Sequence, residues 1–173
     1  QQALERLEVD EAGLDEMNGD GMTALMLACQ GCRPAVAETL LKHGANMDMI
    51  TPKGCTALSF AADKCELSIV KSLVQHKATV DIQSKKGGTA LIRAATTGLL
   101  PVVEILLAGG ANPSLENGVG TWTPLRCAAY GDHLGVVEAL LEGGAEVDQR
   151  ATGSGCAGTT ALMTASRCGH TEV

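Results

Sequence analysis

The stretch GGTALIRAATTG, from Gly87 to Gly98, decides how this chain is read, because close variants of it occur four more times. Upstream are GMTALMLACQGC at 21–32 and GCTALSFAADKC at 54–65, and downstream are TWTPLRCAAYGD at 121–132 and GTTALMTASRCG at 158–169. The threonines at the third position of these stretches are spaced 33, 33, 34 and 37 residues apart. Such a period predicts an array of similar units rather than one thick core.

The composition suits thin layers of small side chains. Apolar residues make up 45 % of the 173 residues, only three residues are aromatic, and the formal net charge is −7. This acidic balance argues against nonspecific nucleic-acid binding, and no apolar run approaches the roughly 18 residues of a membrane helix. Seven scattered cysteines, an odd number, are typical of a reduced protein. We therefore expect an intracellular, cytoplasmic protein that does not insert into a membrane.

Each repeat reads as two short helices. Thr89 is a good N-cap, and Leu91, Ala94 and Ala95 then fall on one face of a helix that a left-handed glycine at Gly98 can end. A second apolar stripe follows over 102–107. Neither helix is long enough to be stable alone. Each pair can cover its apolar face only by stacking on the next pair, so the pattern predicts a solenoid.

The shared pattern G-x-T-[AP]-L…A-A…G-H…VV-x-x-LL…GA resembles the ankyrin repeat, and Thr121 to Asp148 is the copy nearest to it. The resemblance covers nearly the whole chain. It implies an all-α ankyrin-repeat solenoid of stacked helix–turn–helix pairs joined by β-hairpin-like loops. It further implies a curved array whose concave face binds a protein or an extended peptide, without catalysis and without a cofactor.

Aligning the copies gives four full and two partial repeats. The predicted units are 1–17 (partial), 18–50, 51–83, 84–116, 117–150 and 151–173 (partial). The first unit aligns with the second helix of a repeat and the last stops where such a helix starts. We therefore expect a piece of a longer array, monomeric by itself. A regulatory or targeting segment of a larger enzyme or channel is the alternative function.

Several residues depart from the family pattern. The histidine that usually follows T-P-L is absent from every copy, which predicts the loss of the hydrogen bonds that it makes between repeats; its places are held by Met26, Ser59, Ile92, Arg126 and Met163. Non-glycine residues stand where glycine would end a helix: Cys32, Cys65, Lys77 and Asp132. A left-handed backbone at such a residue costs on the order of 1 kcal/mol.

The only tryptophan and the only tyrosine, Trp122 and Tyr130, fall in one repeat, at positions that the resemblance assigns to the concave face. Tryptophan and tyrosine are common interface anchors, so we predict that both contact a partner; the simpler alternative is that Trp122 only shields its longer loop. The equivalent variable positions complete the predicted partner-binding surface: Met22, Gln30, Lys53, Asp63, Lys64, Lys85, Lys86, Thr96, Thr97 and Arg167. Lys53, Lys85 and Lys86 form either a basic strip or an ordinary solvated loop face.

The sequence contains no recognisable catalytic motif. Cys29 and Cys32 form a C-x-x-C, but no second pair completes a zinc set. We read these cysteines as small residues in small sites, with a metal or redox role involving Cys65 as the alternative. His43 and His76 occupy equivalent positions late in the second helix, where a basic residue complements the helix dipole; a two-histidine metal site is the other interpretation. His133 and His170 match the family's G-H and are expected to be structural.

Overall fold

In the computed structural model, which describes residues 13–118, 122–152 and 157–173, nine α-helices are joined by turns. No strand occurs in these ranges. The helices are α1 Ala24–Gln30, α2 Pro34–Lys42, α3 Ala57–Asp63, α4 Leu67–Gln75, α5 Ala90–Thr97, α6 Leu100–Ala108, α7 Pro124–Tyr130, α8 Leu134–Glu142 and α9 Ala161–Cys168. Residues 1–12 of the partial repeat predicted over 1–17 lie outside the described residues.

The helices form two layers. The odd-numbered helices, here called the first helices, contact one another in chain order from α1 to α9, and the even-numbered second helices do the same from α2 to α8. Each of α1, α3, α5 and α7 also packs against the second helix that follows it. One continuous apolar core runs between the layers and includes Leu91, Val102 and Leu106, each fully buried. The solenoid predicted from the repeat period is therefore confirmed.

A threonine begins every first helix. Each of these threonines has an extended backbone and accepts a hydrogen bond on Oγ1 from the backbone N–H three residues later, at 3.1 to 3.3 Å. The bond satisfies one N–H that the helix itself leaves unpaired. The Oγ of Ser59 also accepts the backbone N–H of Thr56 at 3.0 Å, which completes a reciprocal capping box. The sequence prediction of threonine N-caps is confirmed at all five positions: Thr23, Thr56, Thr89, Thr123 and Thr160.

Hairpin-like turns precede the first helices. In the turn of residues 51–55 the N–H of Thr51 donates to the carbonyl of Cys55 at 2.9 Å, and Ser84 donates to Gly88 in the same way at 3.0 Å. Neighbouring turns also touch: Lys85 N–H donates to Lys53 carbonyl at 3.0 Å. The turns therefore stack into a row along one edge of the first-helix layer.

Polar contacts tie successive repeats together. Asp48 accepts the N–H of Thr79 at 2.9 Å, and Asp81 accepts the N–H of Asn112 at 3.1 Å. His133 Nε2 hydrogen-bonds to the carbonyl of Thr96 at 3.2 Å, and His170 Nε2 to that of Tyr130 at 3.1 Å. The structural role expected for these two histidines is confirmed, because each bridges one repeat to the preceding one.

Four non-glycine residues adopt a left-handed backbone, as the missing glycines predicted: Cys32, Cys65, Lys77 and Asp132, with φ between 52° and 68°. The glycines Gly98 and Gly169 end α5 and α9 with φ of 72° and 81°.

Three of the four strained residues lie before Thr89 and only one lies after it. We therefore expect faster amide hydrogen exchange in Thr23–Asp81 than in Thr89–Asp148. Equal protection of the second helices in both halves would contradict this expectation.

Replacing Cys65 by glycine is expected to stabilise the chain by about 0.5–1 kcal/mol. The left-handed backbone costs an L-residue about 1–2 kcal/mol, and the greater freedom of an unfolded glycine offsets part of the gain. Urea denaturation measures the change. Gly169→Ala, the reverse substitution at the matching site of the last repeat, is the control and should destabilise, because φ there is 81° and a Cβ would meet no other atom within 4 Å. A stabilisation by Gly169→Ala as well would show that the backbone angle is not the cause.

No helix in the described ranges has the length and apolar character needed to cross a bilayer.

Candidate partner-binding surface

Trp122 closes the turn before α7. Its N–H donates to the side chain of Asn117 at 3.0 Å, and its carbonyl accepts the N–H of Asn117, also at 3.0 Å. The ring is half-buried and packs against the apolar core. Because the next residue, Thr123, caps α7, the backbone around Trp122 is held on both sides. Trp122 therefore fastens its loop and stays partly exposed, and its contact with a partner remains a prediction.

Tyr130 is the last residue of α7, and 56 % of it is exposed. Its ring meets that of Trp122 edge to face, with centroids 5.4 Å apart and an interplanar angle of 86°. This is a favoured aromatic geometry, worth about 0.5–1.5 kcal/mol beyond the buried area. The structure therefore brings together the two aromatic residues that the sequence singled out, and it leaves Tyr130 facing solvent.

Arg126 packs against the face of the Trp122 ring. Its guanidinium carbon lies 4.4 Å from the centroid of the Trp122 ring, and only 1 % of the residue is exposed. Its Nε donates to the hydroxyl of Thr164 in α9 at 3.4 Å. One polar link between repeats therefore persists at a position where the sequence predicted its loss. We call Trp122, Arg126 and Tyr130 the aromatic cluster.

Sequence reasoning missed Arg126 as part of this surface and identified it only as one of the residues in place of the usual histidine. The available signal was a charged residue at a position that is apolar in three of the other copies, at Met26, Ile92 and Met163. A buried cation at such a position needs a favourable interaction that offsets its loss of hydration. A tryptophan four residues earlier can provide it through a cation–π contact.

Arg93 pairs with Asp63 across the first helices. Arg93 Nε donates to Asp63 Oδ1 at 2.6 Å, and the second guanidinium nitrogen bonds the other carboxylate oxygen. The hydrogen bonds from Arg93 to Asp63 raise the pKa of the guanidinium further. Both side chains are about one-third exposed, so solvent screening leaves the pair a modest contribution to stability. The positive charge of Arg93 therefore balances the negative charge of Asp63 on this surface.

Three lysines lie on two touching turns. Lys53 lies in the turn of residues 51–55, and Lys85 and Lys86 lie in the turn of residues 84–88. All three are exposed, and within the described residues none takes part in an ion pair. A Cβ on Gly54 would lie only 2.8 Å from the backbone nitrogen of Lys85, which shows how closely the turns pack. We call these residues the lysine strip.

The other predicted residues flank these two groups. Met22 is half-buried and packs against the core. The hydroxyls of Thr96 and Thr97 bond to carbonyls within their own helix. The exposed remainder lies at the carboxyl ends of first helices: Gln30, Lys64, Thr96, Thr97 and Arg167.

Burial disfavours thiolate chemistry at Cys29. Burial raises the pKa of Cys29 to about 12, which keeps it a thiol at neutral pH. Cys32 and Cys65 are exposed at left-handed turn positions. Nδ1 of His43 and of His76 bonds to a carbonyl in its own helix, at 2.8 and 2.9 Å. Within the ranges that the structure describes, no group of three histidine, cysteine or acidic side chains could hold a metal ion.

Comparison with known proteins places these observations in a family. The family model described as Ankyrin repeats (3 copies) matches residues 2–84, 25–117, 66–151 and 91–173. A search of curated proteins found no match. The overlapping matches extend over residues 2–173, and the helical pairs stack as the repeat period requires. The chain therefore belongs to the ankyrin-repeat family.

Proposed function

We propose that the chain is a non-catalytic protein-binding module that holds a protein or an extended peptide on its row of turns and first helices. Ankyrin repeats in general mediate protein–protein interactions. The observation that carries the proposal is the aromatic cluster, in which the only tryptophan and the only tyrosine of the chain meet on this surface. Interfaces are enriched in these residue types.

The cluster is arranged to bind at low entropic cost. Trp122 is fixed by two hydrogen bonds to Asn117 and by contact with Arg126. Tyr130 has only two side-chain torsions and already rests against Trp122. A partner group that covers Tyr130 therefore buries an aromatic ring without ordering a mobile side chain, and such ordering otherwise costs about 0.5–1.5 kcal/mol per side chain.

Polar residues in other repeats extend this surface along the first-helix layer. Gln30, Lys64 and Arg167 lie at or beside the ends of three first helices. Their hydrogen-bonding groups differ from repeat to repeat, so successive repeats can hydrogen-bond to different partner residues. This variation suits recognition of an elongated segment rather than of a small molecule.

Comparative capture from cell extract tests the proposal. The bait proteins are the wild-type chain, Tyr130→Ala, and Leu141→Ala as a control. Leu141 is 40 % exposed in the second helix α8, so the control removes an apolar side chain from the opposite layer. Circular dichroism establishes that all three are folded.

The expected result is a set of proteins retained by the wild-type and Leu141→Ala baits and lost from Tyr130→Ala. Identical capture by all three baits would contradict the assignment of the surface. Absence of any retained protein would contradict the binding function itself.

A further inference from the structure

We infer that the partner segment is acidic, with negative side chains on the lysine strip and an apolar side chain on the aromatic cluster. The inference rests on the proposed function and deepens it. It follows from how charge is distributed over a chain that is acidic as a whole.

The layers differ in charge. The first helices carry three cations against one anion, namely Arg93, Arg126 and Arg167 against Asp63. The second helices carry two lysines against four glutamates: Lys42 and Lys71 against Glu38, Glu104, Glu138 and Glu142. A chain with 20 acidic and 13 basic residues thus keeps most helical acids away from the first-helix side.

The lysine strip is held together by backbone contacts rather than by counter-ions. The hydrogen bond from Lys85 N–H to Lys53 carbonyl fixes the two turns side by side. Like charges held close together repel, and no acidic side chain in the described ranges pairs with any of the three lysines. An anionic segment would relieve this repulsion. The equivalent turn of the preceding repeat carries Asp20 at the position of Lys53, so the strip does not extend into that repeat.

The aromatic cluster also disfavours a cationic group. The guanidinium of Arg126 already lies over the Trp122 ring, so a second cation there would meet its charge. The Tyr130 ring is the exposed apolar surface that remains. The two groups lie on consecutive stacked turns, because Gly87 packs against Gly118 of the loop that ends at Trp122.

The spacing sets the length of the motif. Lys53 and Trp122 are two repeats apart, or roughly 16–20 Å at the usual spacing of packed helices. An extended chain covers this distance in about 5–6 residues. Lys85 and Lys86 lie one repeat from Trp122, which corresponds to roughly 8–10 Å or about 3 extended residues. We therefore expect acidic residues about 3–6 positions from an aromatic or aliphatic residue.

A polypeptide fits these features better than a nucleic acid does. Three lysines on a protein of net charge −7 would neutralise few phosphates. The guanidinium of Arg126 lies over the Trp122 ring and the Tyr130 ring meets it at 86°, so the Trp122 ring is poorly placed to stack on a base.

Selection from a random peptide library displayed on phage tests the inference. The enriched consensus peptide is synthesised, labelled and titrated against the wild-type chain, the pair of substitutions Lys53→Glu and Lys86→Glu, and the control pair Lys42→Glu and Lys71→Glu. Both variants change the net charge equally, but the control changes only the second helices. A single-stranded oligothymidylate of matching charge is titrated alongside.

We expect an acidic consensus whose affinity falls at least about tenfold in the lysine-strip variant and stays within about twofold in the control. Enrichment of neutral or basic peptides that depend on Tyr130 would overturn the inference and leave the binding function standing. Equal loss in both variants, or tighter binding of the oligothymidylate, would also overturn the inference. Failure to enrich any peptide would count against the inference and the proposed function together.

Discussion

Gly87→Ala is expected to lower the free energy of unfolding by about 3 kcal/mol or more. Gly87 has φ of 75°, and a Cβ placed on it would lie 1.8 Å from the backbone nitrogen of Gly118. The left-handed backbone alone costs an alanine about 1–2 kcal/mol, and separating two backbones adds the cost of overpacking, typically about 1–3 kcal/mol. A backbone atom cannot rotate away as a side chain can, so the two stacked turns must move apart.

Gly110→Ala is the matched control for this prediction. Gly110 has φ of 86°, but a Cβ placed on it would meet no other atom within 4 Å, so only the backbone angle is penalised there. Urea denaturation, followed by circular dichroism, gives both free energies. We expect Gly110→Ala to lose about 1 kcal/mol. If both variants lost the same amount, close stacking of the turns would not contribute to stability at Gly87.

The sequence predicted the repeating parts of this fold well. The threonine spacing predicted the positions of the first helices. The absence of glycine at four helix-ending positions predicted the left-handed residues Cys32, Cys65, Lys77 and Asp132. These features depend on neighbours a few residues away or on the shared period. Local rules therefore carry them, and each repeat supplies an independent check on the others.

The candidate surface was predictable only in part. The position of Tyr130 within the repeat predicted its exposure, but nothing local showed that its ring meets Trp122 or that Arg126 lies beneath. The Arg93–Asp63 pair joins residues 30 apart and the contact of Arg126 with Thr164 spans 38 residues. Such contacts depend on how far one helix is displaced against the next, which a period alone does not specify.

Arg126→Ala is expected to destabilise the chain by about 3 kcal/mol, because a large side chain in a residue only 1 % exposed is removed and the site cannot fully collapse. Arg126→Met keeps most of the volume and should cost less, about 1–2 kcal/mol for the lost contact with Trp122. Thr164 keeps a partner in both variants, since its hydroxyl also donates to the carbonyl of Thr160 at 2.9 Å.

Fluorescence distinguishes the two variants further, since Trp122 is the only tryptophan in the chain. We expect the emission of folded Arg126→Ala to shift to longer wavelength, because the ring loses its cover and meets water, while Arg126→Met stays close to wild type. Urea denaturation followed at the same wavelength gives the free energies. A loss as large for methionine as for alanine would mean that the polar contacts of Arg126, rather than its bulk beneath Trp122, hold the aromatic cluster in place.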